Sequence, residues 1–191
     1  MKKPVIFLAS QSERRKQLLS MIGLPFKCVS SEYQEISFSS PEKTVLTNAL
    51  YKAKNAICKK DNFILGADTI VYIDNKIIGK PKDKKEAERF LLLLSGRMHT
   101  VFTGLVIIKN NKIFSGVEKT KVFFDKISKR EINLYIRLCR PFDKAGAYGI
   151  QEFSSLFIRK IEGDFFNVVG LPLNLLYRLL KKARYPFFSI F

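Results

Sequence analysis

A carboxylate is out of place in the middle of FILGADTIVYI (63–73), yet Asp68 stands there, with Gly66 before it and Thr69 after it. Burying an unpaired carboxylate costs several kcal/mol or shifts its proton affinity, so Asp68 needs a cation, a metal or an exposed position in a cleft. One of the chain's many lysines in an ordinary ion pair would also satisfy it. Lys52 also breaks its local pattern. It falls in line with Val45, Ala49 and Ala56 on a helical wheel, so its ammonium starts from the edge of an apolar face and either snorkels to water or points into a cleft. Lys80, in IIGKP at the end of an expected hairpin, is a similar candidate or a plain turn lysine.

The stretch LASQSERRKQLL (8–19) sets an apolar run against a polar bend and then places Arg14 and Arg15 where a helix begins. A helix start already carries partial positive charge, so two arginines there oppose the dipole unless an anion is present. Ser10 and Ser12 add hydroxyls, and guanidinium groups fork onto phosphate oxygens, so the stretch reads either as a phosphate cradle or as arginines turned to solvent. In DKAGAYGIQ (143–151) two glycines permit close backbone approach, while Lys144, Tyr148 and Gln151 offer a charge, a stacking face and an amide that could read a base edge. A ligand-free flexible loop would have the same composition.

Other chemistries are disfavoured. The single histidine, His99, is expected to be structural, and no G-x-S-x-G elbow is present to build a hydrolytic relay around it. No P-loop and no G-x-G-x-x-G occurs.

The elements that must position these residues follow from the local pattern. Val5–Ala9 predicts a short buried strand, and Glu13–Met21 a helix with Ser12 as N-cap and Gly23 past its end. Ser40-Pro41 opens a second helix running to about Lys60. FILGADTIVYI and KIIGKP form a hairpin about Asp74-Asn75, and Asp83 with Glu86 caps a helix that Ser95-Gly96 stops. HTVFTGLVIIKNNKIFSG and EKTKVFFDKI predict two or three antiparallel strands, followed by a helix with a Ser128/Glu131 capping box. A loop-like region from Arg140 then leads to a hairpin over LFIRKIEGDFFNVVGLP, and Pro172 opens a last helix to about Ala183. The sum is one α/β domain over 1–191, with a mixed, twisted sheet flanked by helices and room for two lobes about a cleft.

The 191 residues are 47% hydrophobic, enough for a real core, and carry 34 Lys and Arg against 17 Asp and Glu, a formal charge of +17. That charge attracts polyanions, but the lysines are spread along the chain, which favours a solvated basic surface over a nucleic-acid patch. Cys28, Cys58 and Cys139 are odd in number and far apart, so they read as buried thiols in a reducing compartment. The apolar run after Pro4 is too short for a signal-peptide core or a membrane span, so a soluble cytoplasmic chain is expected. The apolar tail RYPFFSIF is expected to dock on the body or on a partner.

Taken together, LASQSERRKQLL, GADTIV (66–71), GKP (79–81), LSGRMHTVFT (94–103), DKAGAYGIQ and VVGLP (168–172) resemble the Maf family of nucleoside triphosphate pyrophosphatases over nearly the whole chain. The resemblance implies a Maf/ITPase-like α/β fold whose two lobes flank a nucleotide cleft. It also implies hydrolysis of a nucleoside triphosphate to monophosphate and pyrophosphate with a divalent metal, Mg²⁺ or Mn²⁺. DKAGAYGIQ belongs to the branch associated with dTTP and UTP; a sister branch acting on 7-methyl-GTP lacks it. Within the family pattern Asp68 matches the catalytic base, and Arg14, Thr69 and Gln151 match positions tied to substrate choice. Ser10, Glu35, Lys52 and Lys80 match the remaining polar cluster that handles phosphates and metal, with Glu35 and Asp68 on the metal side. Arg15 and Lys144 join the expected substrate-binding set.

Two departures from the pattern stand out: Glu13 replaces the usual proline after Ser12, and Glu152 the usual glycine after GIQ. The expected partner is a nucleoside triphosphate; a second copy of the chain is open, a membrane is not expected and nucleic acid is disfavoured. The alternative function is a basic nucleic-acid- or partner-binding regulator of cell division with a vestigial cleft.

Overall fold

The computed structural model describes residues 4–57 and 62–187. In chain order the elements are β1 (Ile6–Leu8), α1 (Glu13–Met21), β2 (Phe26–Cys28), α2 (Pro41–Lys54), β3 (Phe63–Ile73), β4 (Lys76–Ile78) and α3 (Lys84–Leu94). They continue with β5 (Met98–Lys109), β6 (Lys112–Phe124), α4 (Lys129–Cys139), β7 (Ile158–Glu162), α5 (Phe165–Val169) and α6 (Leu173–Lys182). The strands follow the order β2-β1-β3-β5-β6-β7, with β4 added to β3. The sheet is mixed as expected: β1 pairs in parallel with β2 and β3, whereas β3–β4 and β6–β7 are antiparallel.

The chain forms two compact units, one of Met1–Asp68, Thr103–Glu118 and Gly170–Phe191, the other of Thr69–Phe102 and Lys119–Val169. In the first, Ile6, Leu8 and Leu65 are fully buried on neighbouring strands, with Leu19 of α1 and Leu176 of α6. Gly23, at φ +64°, ends α1 in the left-handed conformation. Ser40 caps α2 by accepting the Lys43 N–H at 3.2 Å, and Pro41 fills the first turn.

Two strand glycines let α2 lie directly on the sheet. A Cβ at Gly66 would run into the Ala49 carbonyl oxygen and meet the Ala53 Cβ at 2.9 Å; one at Gly104 would meet the Val45 carbonyl oxygen at 2.5 Å. The helix ends at Lys54, short of the expected Lys60. Ala56 bridges Ser31, and the Ile57 N–H bonds the Ser30 carbonyl at 3.2 Å, so the backbone leaves the helix to pair with the 30–31 segment. The expected last turn at 58–60 lies outside the described residues.

The tail begins by docking within this unit: Tyr185 is buried, donates its hydroxyl proton to the Pro4 carbonyl at 2.9 Å and packs edge-on against Phe63. Residues 188–191 lie outside the described residues. Cys28 is exposed, contrary to expectation, because β2 is the outermost strand and bonds only to β1; Cys139 is half-buried and Cys58 lies outside the described residues.

In the second unit the β3–β4 turn is Asp74-Asn75, both at positive φ (49° and 58°), as a tight two-residue hairpin requires. Asn110-Asn111 (49° and 61°) joins β5 to β6 in the same way, and β6 runs as one strand of 13 residues. Asp83 caps α3 by accepting the Glu86 N–H at 2.8 Å, and Ser128 with Glu131 forms a complete capping box on α4. The faces of α3 and α4 that follow, with Phe90, Leu91, Leu94, Ile132, Tyr135 and Ile136, close over Val71, Val101, Val122 and Phe124.

No hairpin follows β7. Gly163 (φ +125°) turns the chain, and the Asp164 carboxylate accepts the N–H groups of Phe166 (2.7 Å) and Asn167 (3.3 Å), which starts α5 instead. His99 is buried as a core residue, with its Nε2 2.7 Å from the Tyr148 hydroxyl and its ring edge-on to Phe124.

Candidate active site

Period-two alternation puts Gly66 and Asp68 on one face of β3, the face covered by α2. Where Gly66 admits the helix backbone at Ala49 and Ala53, Asp68 meets the side chains of Asn48 and Lys52, one helical turn apart. Asp68 is 4% exposed, so its charge must be matched. The Lys52 ammonium lies 2.6 Å from Asp68 Oδ1, and the Asn48 amide donates to Oδ2 at 3.0 Å. Lys52 also donates to Glu35 Oε1 at 2.6 Å, so one cation is shared by two carboxylates, one buried and one half-exposed.

The segment carrying Glu35 is laid along α2 by side-chain to backbone bonds. Ser31 donates to the Lys52 carbonyl at 2.8 Å, Asn55 to the Glu32 carbonyl at 2.9 Å, and Asn48 bonds both the N–H and the carbonyl of Ile36 at 3.0 Å. Tyr33 stacks on Tyr51 and donates to Asn48 Oδ1 at 3.1 Å; desolvation, with the nearby Asp68 and Glu35 charges, raises its phenol's pKa. Asn48 escaped the sequence reading. The available signal was its place one turn before Lys52, with a polar amide on the apolar face between Val45 and Ala49.

At the start of α1, Ser10 and Arg15 are brought together and joined to the VVGLP stretch. Arg15 Nη1 donates to Ser10 Oγ at 3.0 Å, and its Nε donates to the Gly170 carbonyl at 2.8 Å. Burial lowers the Arg15 pKa, and the Asp68 charge works against that shift, followed by Arg14 in the lowering sense and Glu35 in the raising sense. The arginine pair and the carboxylate pair therefore share one electrostatic environment. Ser12 holds the N-cap position in an extended conformation without a side-chain capping bond. Glu13 turns outward to Lys16 at 2.6 Å, so its extra charge is drawn away from Ser10 and Arg15.

In the second unit the 143–151 loop is tied to the GKP turn: the Gly146 N–H bonds the Gly79 carbonyl at 3.0 Å, next to Lys80. Gly146 sits at φ +69°, and a Cβ there would meet Val71 Cγ2 at 2.8 Å, so glycine is required twice over. Lys144 is buried, with its ammonium 2.8 Å from Asp143 and 3.2 Å from Glu152, the residue that departs from the family pattern. Gln151 is exposed, Lys80 is exposed, and Thr69 is half-buried directly after Asp68 on β3. Tyr148 is no stacking platform: it is 5% exposed, packed against His99 and Phe124, and burial drives its phenol's pKa far up.

The donor set suits a hard divalent cation. Glu35 and Asp68 already converge on one positive charge, the Lys52 ammonium, and both offer oxygen only. Among the described residues no group of three or more His, Cys, Asp or Glu is placed to hold a metal. Two carboxylates with a substrate's phosphates completing the shell is the usual arrangement for Mg²⁺.

A carboxylate on β3 and a second on the segment laid along α2 share one lysine, and their charges reach the arginine at the start of α1 in an α/β protein. The chain belongs to the Maf-like protein family, whose model matches residues 5–183. It is 45% identical over 181 residues to the "dTTP/UTP pyrophosphatase" of Bacillus anthracis, covering 93% of this chain and 94% of that protein. The protein of the same name from Bacillus cereus (strain Q1) is 46% identical over 180 residues, with 93% and 94% covered. Among solved structures, the Staphylococcus aureus Ham1 protein shares the fold, with a TM-score of 0.50 at 13% identity over 94% of this chain and 99% of that one. Among the described residues no helix is long and apolar enough to cross a membrane.

Proposed function

We propose that this protein is a nucleoside triphosphate pyrophosphatase acting on dTTP and UTP in the cytoplasm. The observation that carries the reading is the Lys52 ammonium held between Asp68 and Glu35 on one side of β3. It is supported by family membership and by the names of the relatives at 45 to 46% identity.

Glu35 and Asp68 would hold Mg²⁺ or Mn²⁺, which when bound neutralises phosphate charge and acidifies a nearby water. Asp68 accepts the proton of the attacking water, whose oxygen forms a bond to the α-phosphorus. The bond from the α-phosphorus to the bridging oxygen breaks, and pyrophosphate leaves with that oxygen. Lys52 fixes the Asp68 carboxylate and balances its charge. Ser10 and Arg14 donate to phosphate oxygens, where charge grows during the reaction, and the family pattern gives Lys80 a part in handling phosphates. Arg15 holds Ser10. Gln151 and Thr69 discriminate the base, and Lys144 orders the loop that carries Gln151.

The test is pyrophosphate release from dTTP, UTP, CTP, GTP and 7-methyl-GTP with Mg²⁺ or Mn²⁺ and with chelator. Release favouring dTTP and UTP, abolished by chelator and reduced at least a hundredfold by Asp68→Asn in a folded variant, is the expected result. No release from any nucleotide, together with nucleic-acid binding that weakens steeply with salt, would replace the enzyme with a basic binding protein.

A further inference from the structure

We propose that Asn48 is a positioning residue that sets the separation of the Asp68 and Glu35 carboxylates. The inference rests on the pyrophosphatase reading for its consequence in turnover, and on geometry alone for its structural part.

Asn48 is 2% exposed, and all four hydrogen-bonding capacities of its amide are used. Oδ1 accepts from the Tyr33 hydroxyl (3.1 Å) and the Ile36 N–H (3.0 Å), and Nδ2 donates to the Ile36 carbonyl (3.0 Å) and to Asp68 Oδ2 (3.0 Å). The amide thus pairs with the Ile36 backbone as a neighbouring strand would, and spends its remaining proton on the carboxylate. Only a planar side-chain amide supplies two donors and two acceptor lone pairs at this length.

The consequence is a closed ring. Asp68 is bound on Oδ2 by Asn48 and on Oδ1 by Lys52; Lys52 binds Glu35, whose backbone neighbour Ile36 returns to Asn48. Asn48 and Lys52 sit one turn apart on the same helix, so the Asn48 amide sets the distance from Asp68 to the backbone that carries Glu35, and Lys52 closes the ring between the two carboxylates. Lys52 alone would not achieve this, because a flexible ammonium can follow either partner.

Asn48→Leu keeps size and removes all four bonds; Asn48→Ala truncates the side chain without adding bulk. Each is compared with the wild type by circular dichroism, by kcat and KM for dTTP, and by Mn²⁺ binding followed through the electron paramagnetic resonance of free Mn²⁺ with non-hydrolysable α,β-methylene-dTTP. In a folded variant we expect kcat to fall about tenfold or more, KM for dTTP to stay within about twofold, and Mn²⁺ to bind about tenfold more weakly. Faster exchange of the Ile36 amide hydrogen should accompany these changes.

Unchanged kcat and Mn²⁺ affinity in a folded variant would overturn the proposal, as would failure of both variants to fold, which makes Asn48 merely structural. If the wild type releases no pyrophosphate, the enzyme reading fails by itself, while Mn²⁺ binding and Ile36 exchange still decide the role of Asn48.

Discussion

Lys52 reaches Asp68 across the α2–β3 contact at 2.6 Å, and does so from a helix position that the sequence marks as the edge of an apolar face. Asp68 is 5% exposed at its side chain, so removing the ammonium leaves a buried carboxylate held by the Asn48 amide on its far oxygen. Breaking a buried pair from one side costs about 3 kcal/mol or more. Lys52→Met should therefore lower the thermal midpoint by several degrees and abolish turnover. Lys52→Arg, which keeps the charge, should recover stability better than turnover, because a planar fork cannot repeat the two short contacts to Asp68 and Glu35. Calorimetry and pyrophosphate release on the two variants check both parts.

The Ser10 hydroxyl has a direction. Its oxygen accepts from the Ser12 N–H at 3.2 Å and from Arg15 Nη1 at 3.0 Å, which occupies both lone pairs and leaves its proton to be given away. A hydroxyl held in that way is a donor to an anion. Ser10→Ala should raise KM for dTTP by roughly fivefold, the worth of one hydrogen bond of ~1 kcal/mol, with little change in kcat. Arg15→Lys should do the same, since an ammonium cannot reach Ser10 and the Gly170 carbonyl in the geometry of Nη1 and Nε. If Arg15 acts through Ser10, the double variant should have the KM of the worse single one; additive losses would show that Arg15 works independently.

The fit of α2 on the sheet links stability to turnover. Gly66→Ala places a methyl group against the Ala49 carbonyl and the Ala53 Cβ, so α2 must lift, taking Asn48 and Lys52 away from Asp68. Overpacking of this kind costs about 1–3 kcal/mol, and kcat should fall with it. Gly116→Ala is the comparison: the nearest atoms its Cβ would meet belong to the Leu175 side chain, which can rotate, and neither residue bonds Asp68, Asn48 or Lys52. The expected result is a loss of kcat in Gly66→Ala and an unchanged kcat in Gly116→Ala. Equal kcat in both would mean that helix seating does not govern the site.

These relationships show what the sequence could and could not convey. Caps and turns are local chemistry, so Ser40-Pro41, Asp83/Glu86, Ser128/Glu131 and Asp74-Asn75 were readable and the elements they bound are present. Asp68 was conspicuous because a carboxylate breaks an apolar strand. Asn48 was not, since an amide on a helix is unremarkable until tertiary structure shows that every atom of it is used. β2 was missed because FKC is a short, largely exposed edge strand, defined by its pairing with β1 and lacking an apolar pattern of its own. The hairpin expected after β7 yielded to Asp164, whose side chain competes with the sheet for backbone N–H groups. Tyr148 was misjudged for a related reason: a tyrosine between glycines resembles a ligand platform, and only the packing of His99 and Phe124 makes it core.

His99 gives the fold a pH dependence of its own. Burial holds its folded-state pKa at about 3, against 6.5 for a free imidazole. Above pH 6.5 the ring is neutral whether the chain is folded or not, and its contribution is fully present. As the pH falls from 6.5 toward 3, the unfolded chain takes up a proton that the folded one refuses, so stability declines by about 1.4 kcal/mol per pH unit. His99→Gln keeps a polar group beside the Tyr148 hydroxyl and removes the titration. Between pH 7.5 and 5 the wild type should lose roughly 2 kcal/mol more than this variant in denaturant unfolding. Pyrophosphate release at pH 7.5 should be similar in the two, because the imidazole belongs to the core of the second unit and takes no part in proton transfer. Parallel stability curves would show that the ring is not the titrating group, and a loss of turnover confined to the variant would move His99 from the core into the chemistry.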